Sequence, residues 1–239
     1  MTQEMNRRHT GSPNRWRGLV LAVAVLGAAV LTVAQPPAAL QEKLAAVKQS
    51  IAENQQKLHQ YKWIETTQLT LKGDAKPPSQ SMCMYGPDGT VQKTPISAPP
   101  PPPSGRRLKQ KIVADKTAQM QDYMGQVKTL LAMYVPPDPQ KMQAAFEAKK
   151  AMLGDGTLVF TDYALPGDKM TVSFDPTAKK VTGLNVNTYM DDPKDVVTLA
   201  VQFSSLPDGT NYAVQTVLNA TAKKLVMTTS NSNYMPAGQ

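Results

Sequence analysis

In the second half of the chain the hydropathy period switches from helical to two, and this limits the fold more than any other feature. Met170, Val172 and Phe174 alternate with polar neighbours, as do Val197, Leu199, Val201 and Phe203, and Tyr212, Val214, Thr216 and Leu218 repeat the pattern. Successive side chains of a strand point to opposite faces, so this alternation makes one face of a sheet apolar and leaves the other wet. Further strands are expected over 157–165, 181–189 and 224–230. The connections are short and rich in turn formers: Pro166-Gly167-Asp168, Asp175-Pro176, Asp191-Asp192-Pro193, Leu206-Pro207-Asp208-Gly209 and Asn219-Ala220-Thr221. Six strands joined by tight turns make an antiparallel meander.

A one-faced sheet needs a cover, and the first half supplies three one-faced helices. Leu40, Leu44, Val47, Ile51 and Leu58 fall on one stripe between residues 38 and 60. A second stripe, from Leu108 through Ile112, Met120, Tyr123, Met124, Val127, Leu130 and Leu131 to Tyr134, ends at Pro136-Pro137. Asp138 is then placed to cap a third helix with Pro139 at its first position. Met142, Ala145, Phe146, Met152 and Leu153 provide that helix's apolar face, and Gly154 closes it. Between the first two helices, Tyr61–Leu71 is rich in strand formers. Strands over 80–85 and 90–94 flank the turn Gly86-Pro87-Asp88-Gly89. The expected fold is α+β: a strongly curved, half-barrel-like antiparallel sheet covered by about three amphipathic helices.

Residues 1–34 stand apart. Arg7, Arg8, Arg15 and Arg17 precede an uncharged stretch from Gly18 to Ala34, the pattern of an export signal, with Thr32 and Ala34 small enough for cleavage before Gln35. At 1.5 Å per residue the stretch spans about 25 Å, near the lower limit for a membrane-crossing helix. The exported remainder is therefore expected in the periplasm, either free after cleavage near Ala34 or tethered to the inner membrane by Gly18–Ala34. Residues 35–239 are expected to form a single domain, with a proline-rich connection at 95–105. Pro99 to Pro103 are five consecutive prolines, which favour an extended backbone without donors and read as a stiff surface connection or a docking segment. The sequon Asn219-Ala220-Thr221 matters only in a eukaryote, and the chain reads as bacterial.

Chemistry-bearing residues are scarce. Of two histidines, His9 lies in the signal. A catalytic triad would have to use His59, which sits near the end of an amphipathic helix with no nucleophile elbow in the sequence. One His with the single Cys83 is too few for a transition-metal site. Cys83 has no intrachain disulfide partner and reads as a small buried apolar residue. Asp191, Asp192 and Asp195 lack the alternation and glycine of a calcium loop and read as a turn. Neither GxxxxGK[ST] nor GxGxxG occurs after residue 34. The net charge is +8, but the lysines are dispersed in pairs such as Lys149-Lys150, Lys179-Lys180 and Lys223-Lys224. Nucleic-acid binding favours concentrated basic patches, so it is not expected. No catalytic residue, metal or cofactor is expected.

The order of elements resembles the half-barrel of LolA-like outer-membrane lipoprotein carriers. The resemblance is borne by Tyr61–Leu71, by the hairpin through Tyr85-Gly86-Pro87-Asp88-Gly89, and by Val172-Ser173-Phe174-Asp175-Pro176 leading into Val181. It covers roughly 38–234 in topology and strand texture, transfers no functional residue by position, and does not extend to the proline run. The resemblance implies an acyl chain held between sheet and helical lid, with a lipid or lipoprotein acyl chain as partner. Candidate ligand-lining residues are Trp63, Met120, Met124, Leu131, Phe146, Phe174 and Phe203. Methionines at 120, 124, 133, 142 and 152 would adapt to an irregular apolar ligand or equally fill a dry core. The alternative is a membrane-tethered structural or interaction domain that docks an envelope protein through an edge strand or the Pro99–Pro103 segment.

Overall fold

A computed structural model describes residues 38–96 and 107–238; the Gly18–Ala34 run, the prolines 99–103 and the side chains of 107–114 lie outside it. Helix α1 (Ala38–Leu58) leads into β1 (Tyr61–Leu71), a two-residue β2 (Asp74–Ala75), β3 (Ser79–Tyr85) and β4 (Val91–Pro95). Helices α2 (Arg107–Leu131) and α3 (Pro139–Glu147) follow. The meander then comprises β5 (Ala151–Leu153), β6 (Thr157–Thr161), β7 (Lys169–Asp175), β8 (Lys180–Tyr189), β9 (Val196–Ser205), β10 (Asn211–Ala220) and β11 (Leu225–Pro236).

These strands form one antiparallel sheet in the order β4-β3-β1-β11-β10-β9-β8-β7-β6-β5, with β2 beside β1. The sheet is open, ending at β4 and β5. The last strand returns to lie beside the first, so β1 and β11 join the N-terminal hairpin to the meander. Bulges interrupt the β1–β11, β7–β8 and β9–β10 ladders. Each bulge bends its strand and adds twist, which curves an otherwise flat sheet.

The apolar faces of the helices and the inner face of the sheet share one core, which includes Leu44, Val47, Val127, Met142, Phe160, Met170, Leu184 and Leu218. Helix α3 starts as its residues dictate: the Asp138 carboxylate accepts from the N–H groups of Gln140 at 2.7 Å and Lys141 at 3.4 Å, with Pro139 at the first turn. Its end differs from expectation. Lys149 adopts φ 58° and stops the helix, so Ala151–Leu153 pairs with β6 as a strand. Met152 and Leu153 are exposed on this edge strand and contribute nothing to a helical stripe. Alternation in β10 also breaks: Asn211 and Ala213 face inward before the bulge, and Thr216, Leu218 and Ala220 after it, so Tyr212 and Val214 do not continue the inward row.

One end of the core is densely filled. The Asp168 carboxylate is buried beneath the 162–168 turn. It accepts from the N–H groups of Tyr163, Ala164 and Leu165 at 2.6, 2.9 and 2.7 Å, and from the Tyr134 hydroxyl at 2.6 Å. Tyr134 also lies 2.8 Å from Thr188 Oγ1. Burial and the hydrogen bond to Asp168 hold the Tyr134 phenol far above its ordinary pKa, so it stays a donor. Helix α2 is held at its middle by Tyr123, whose hydroxyl donates to Asp195 at 3.2 Å.

Candidate functional site

At the other end, α1 does not close onto the sheet. A cavity of about 480 Å³ remains between its Ser50–Leu58 segment and the inner faces of β8 to β11, with β1, the β3–β4 hairpin and Val135–Pro137 completing the wall. Its floor is apolar: Val181, Leu184, Leu199, Val201, Phe203 and Ala213. These are the inward residues of the period-two strands, so the alternation that builds the core also builds this floor.

Helix α1 is held over the cavity by a reciprocal clamp. The Asn54 amide donates to the Asn211 carbonyl at 2.7 Å, and its oxygen accepts the Asn211 N–H at 2.6 Å. The Asn211 side chain in turn donates to the Val181 carbonyl at 2.7 Å. Both polar ends of Asn54 are thereby engaged, and a side chain on the helix is tied to the start of β10.

The far wall is aromatic. Trp63 is 6% exposed and stacks on Tyr234 with centroids 5.5 Å apart and planes 10° apart. Tyr85 packs 5.5 Å from Trp63 and stacks on His59 at 4.3 Å. The β11 bulge makes this arrangement possible. Asn233 takes a left-handed φ of 53°, which asparagine tolerates, so that Tyr234 shares the inner face with Asn231. At the hairpin tip Gly89 has φ 74°, a left-handed backbone that glycine adopts without strain, and it lies beside His59 with room for ordinary contact. Burial raises the pKa of both Tyr85 and Tyr234, so these phenols are neutral at physiological pH.

Two polar atoms of this wall are buried without a hydrogen-bond partner: Trp63 Nε1 and Asn231 Oδ1. The Asn231 amide nitrogen donates to the Ala213 carbonyl at 2.9 Å, which leaves its oxygen over. A buried orphan of this kind costs about 1–3 kcal/mol, and native proteins keep few of them. Every described residue lining the cavity is uncharged.

Of the residues nominated from sequence, Trp63 and Phe203 line this cavity. Phe146 and Phe174 are buried in the core, and Met120, Met124 and Leu131 are half-buried against it. Tyr85, Tyr234, Asn54, Asn211 and Asn231 were not nominated; an aromatic residue two places from a strand end next to Asn233 was the only trace of the bulge. His59 serves the aromatic wall, and Cys83 is buried opposite Trp63. Among the described residues no group of three His, Cys, Asp or Glu side chains could hold a metal ion, and no helix is long and apolar enough to cross a membrane.

No protein-family model matches the chain, and no curated protein does. Among solved structures the chain is similar to a DUF1329 family protein from Desulfovibrio piger, at 8% identity over 83% of this chain and 93% of that one, with a TM-score of 0.37. It is also similar to a LolA superfamily protein from Nitrosomonas europaea, at 8% identity over 80% and 93%, with a TM-score of 0.34. The chemistry of the site is read from this chain's own side chains.

Proposed function

We propose that this chain is an exported binding or carrier protein of the bacterial envelope that shelters a hydrophobic ligand, a lipid or acyl chain, between its curved sheet and α1. The cavity carries this proposal. Small-molecule sites are mostly apolar hollows of roughly 300–1,000 Å³ with a few polar groups, and this one has about 480 Å³, an aliphatic floor and an aromatic wall. Covering such a surface is favourable by about 25 cal/mol per Å² of apolar area removed from water. Trp63 and Phe203 are the sequence-nominated residues that would touch the ligand first.

Arg7, Arg8, Arg15 and Arg17 before an uncharged Gly18–Ala34 support export, with residues 35–239 a single α+β domain in the periplasm, free or tethered. The test is native mass spectrometry of the exported protein from cells making the full chain. A discrete added mass that organic solvent extracts as lipid is expected. An apo mass that stays unchanged after incubation with a total lipid extract would overturn the carrier proposal.

A second reading, a tethered interaction domain, rests on the two sheet edges. All five residues of β4 are exposed, and on β5 Met152 and Leu153 are 53% and 45% exposed. An edge strand accepts a partner strand through backbone hydrogen bonds. A charge at Met152 (Met152→Lys) that leaves partner capture unchanged would count against β5 as the docking edge.

A further inference from the structure

The geometry points to the aromatic end of the cavity as a recognition corner for an uncharged group that both donates and accepts hydrogen bonds, a hydroxyl or an amide, carried on the apolar ligand. This rests on the carrier role of the same cavity and adds what that role leaves open, the chemistry of the ligand's polar part.

Three observations combine. First, the corner holds one orphan donor and one orphan acceptor, Trp63 Nε1 and Asn231 Oδ1. They share a sheet face: Glu65 pairs with Asn231, and Trp63 lies two residues from Glu65 on the same strand. On the helix over the cavity Asn54 is engaged with Asn211, and Trp63 Nε1 and Asn231 Oδ1 are the buried side-chain polar atoms without a partner among the described residues. A hydroxyl or an amide supplies both missing partners from one group, whereas an ester supplies only an acceptor.

Second, the described lining has no charge that could receive an anion. On the same face, Glu65 and Lys93 close on each other at 2.6 Å. A phosphate or carboxylate would be stripped of water with no counter-ion, which is strongly unfavourable. Third, the two side chains that carry the orphan atoms line the cavity, as do the half-buried rings of Tyr85 and Tyr234 beside them.

The experiment is displacement of Nile red from the exported protein at pH 8 by 1-dodecanol, dodecanamide, methyl dodecanoate and dodecanoate. Chain length is constant, so differences report the polar group. The alcohol and amide are expected to displace the dye at about tenfold lower concentration than the ester, the size of one net hydrogen bond, and dodecanoate is expected to be weakest. Trp63→Phe, which keeps a stacked ring but removes the N–H, is expected to cut the preference for alcohol and amide over the ester about tenfold, read as the ratio of displacing concentrations within the variant. Equal displacement by all four, or tightest displacement by dodecanoate, would overturn the corner and leave the carrier role standing. Displacement by none would overturn both. The ligand series on the unaltered protein decides the matter even if Trp63→Phe does not fold.

Discussion

The two ends of this molecule's interior share a sheet face and an alternation pattern, yet one is filled and the other hollow. Around Tyr134, Phe160, Met142 and Asp168 the side chains are fully or almost fully buried, and among the described residues every buried side-chain polar atom there has its partner. Around Trp63, Tyr85 and Tyr234 there is open volume, and two polar atoms have none. Helix α3 and the α2 C-terminus press into the first end, while at the second α1 spans the cavity, tied to the start of β10 by the Asn54–Asn211 pair. Apolar patterning alone does not distinguish a core from a binding site. Which elements descend on the sheet does.

The largest effect should come from the filled end. Asp168→Ala removes the acceptor for three backbone N–H groups and the Tyr134 hydroxyl together. Orphaned buried donors cost about 1–3 kcal/mol each, with partial recovery by relaxation, so a loss of about 3–5 kcal/mol in urea unfolding is expected. A loss below about 1 kcal/mol would mean that the turn finds other partners and that this end is less tightly specified than its geometry indicates.

One substitution made at both ends sharpens the contrast. Ala145 is 8% exposed on the inner face of α3, and Ala213 faces the cavity. Ala145→Leu forces three extra carbons into packed space and should cost about 1–3 kcal/mol. Ala213→Leu places the same carbons in the hollow. Stability should change by less than about 0.5 kcal/mol while Nile red binding falls. Equal destabilisation at the two positions would show that the hollow end is closed in solution.

Much of this was legible in the residues. The strands, their turns, the three helices and the Asp138 cap follow from period, breakers and capping chemistry, and the curved α+β architecture from the need to cover one apolar face. The third helix was read too far because Met152 and Leu153 continue its stripe; the break comes from the left-handed backbone at Lys149, a conformation lysine does not advertise. The site was legible only in part. Trp63 and Phe203 follow from strand alternation, but Tyr234 and Ala213 reach the cavity through bulges, and a bulge is settled by pairing between strands rather than by either strand alone. The methionines of α2 and α3 carried no information on whether they meet a ligand or a neighbour, since flexible apolar side chains suit both.

The smallest effect concerns a second turn carboxylate, which separates the two ends by solvent exposure. Asp208 in the β9–β10 turn accepts from Thr210 N–H at 2.9 Å, Thr210 Oγ1 at 2.7 Å and the Tyr61 hydroxyl at 2.7 Å, tying β1 to that turn at the hollow end. The Thr210 N–H, then the two hydroxyls, lower its pKa to about 2. An unfolded aspartate titrates near about 3.9, so the contribution is complete above that pH and is lost as pH falls toward 2. Asp208 is exposed, and solvent screening keeps its worth below about 1 kcal/mol. Asp208→Asn should therefore leave the midpoint of urea unfolding slightly lowered at pH 6 and indistinguishable from the unaltered protein at pH 2. A difference between the two proteins that persists at pH 2 would assign the effect to lost packing or altered turn geometry. A difference at pH 6 as large as that of Asp168→Ala would show that the hollow end is as tightly specified as the filled one, and the contrast between them would fail.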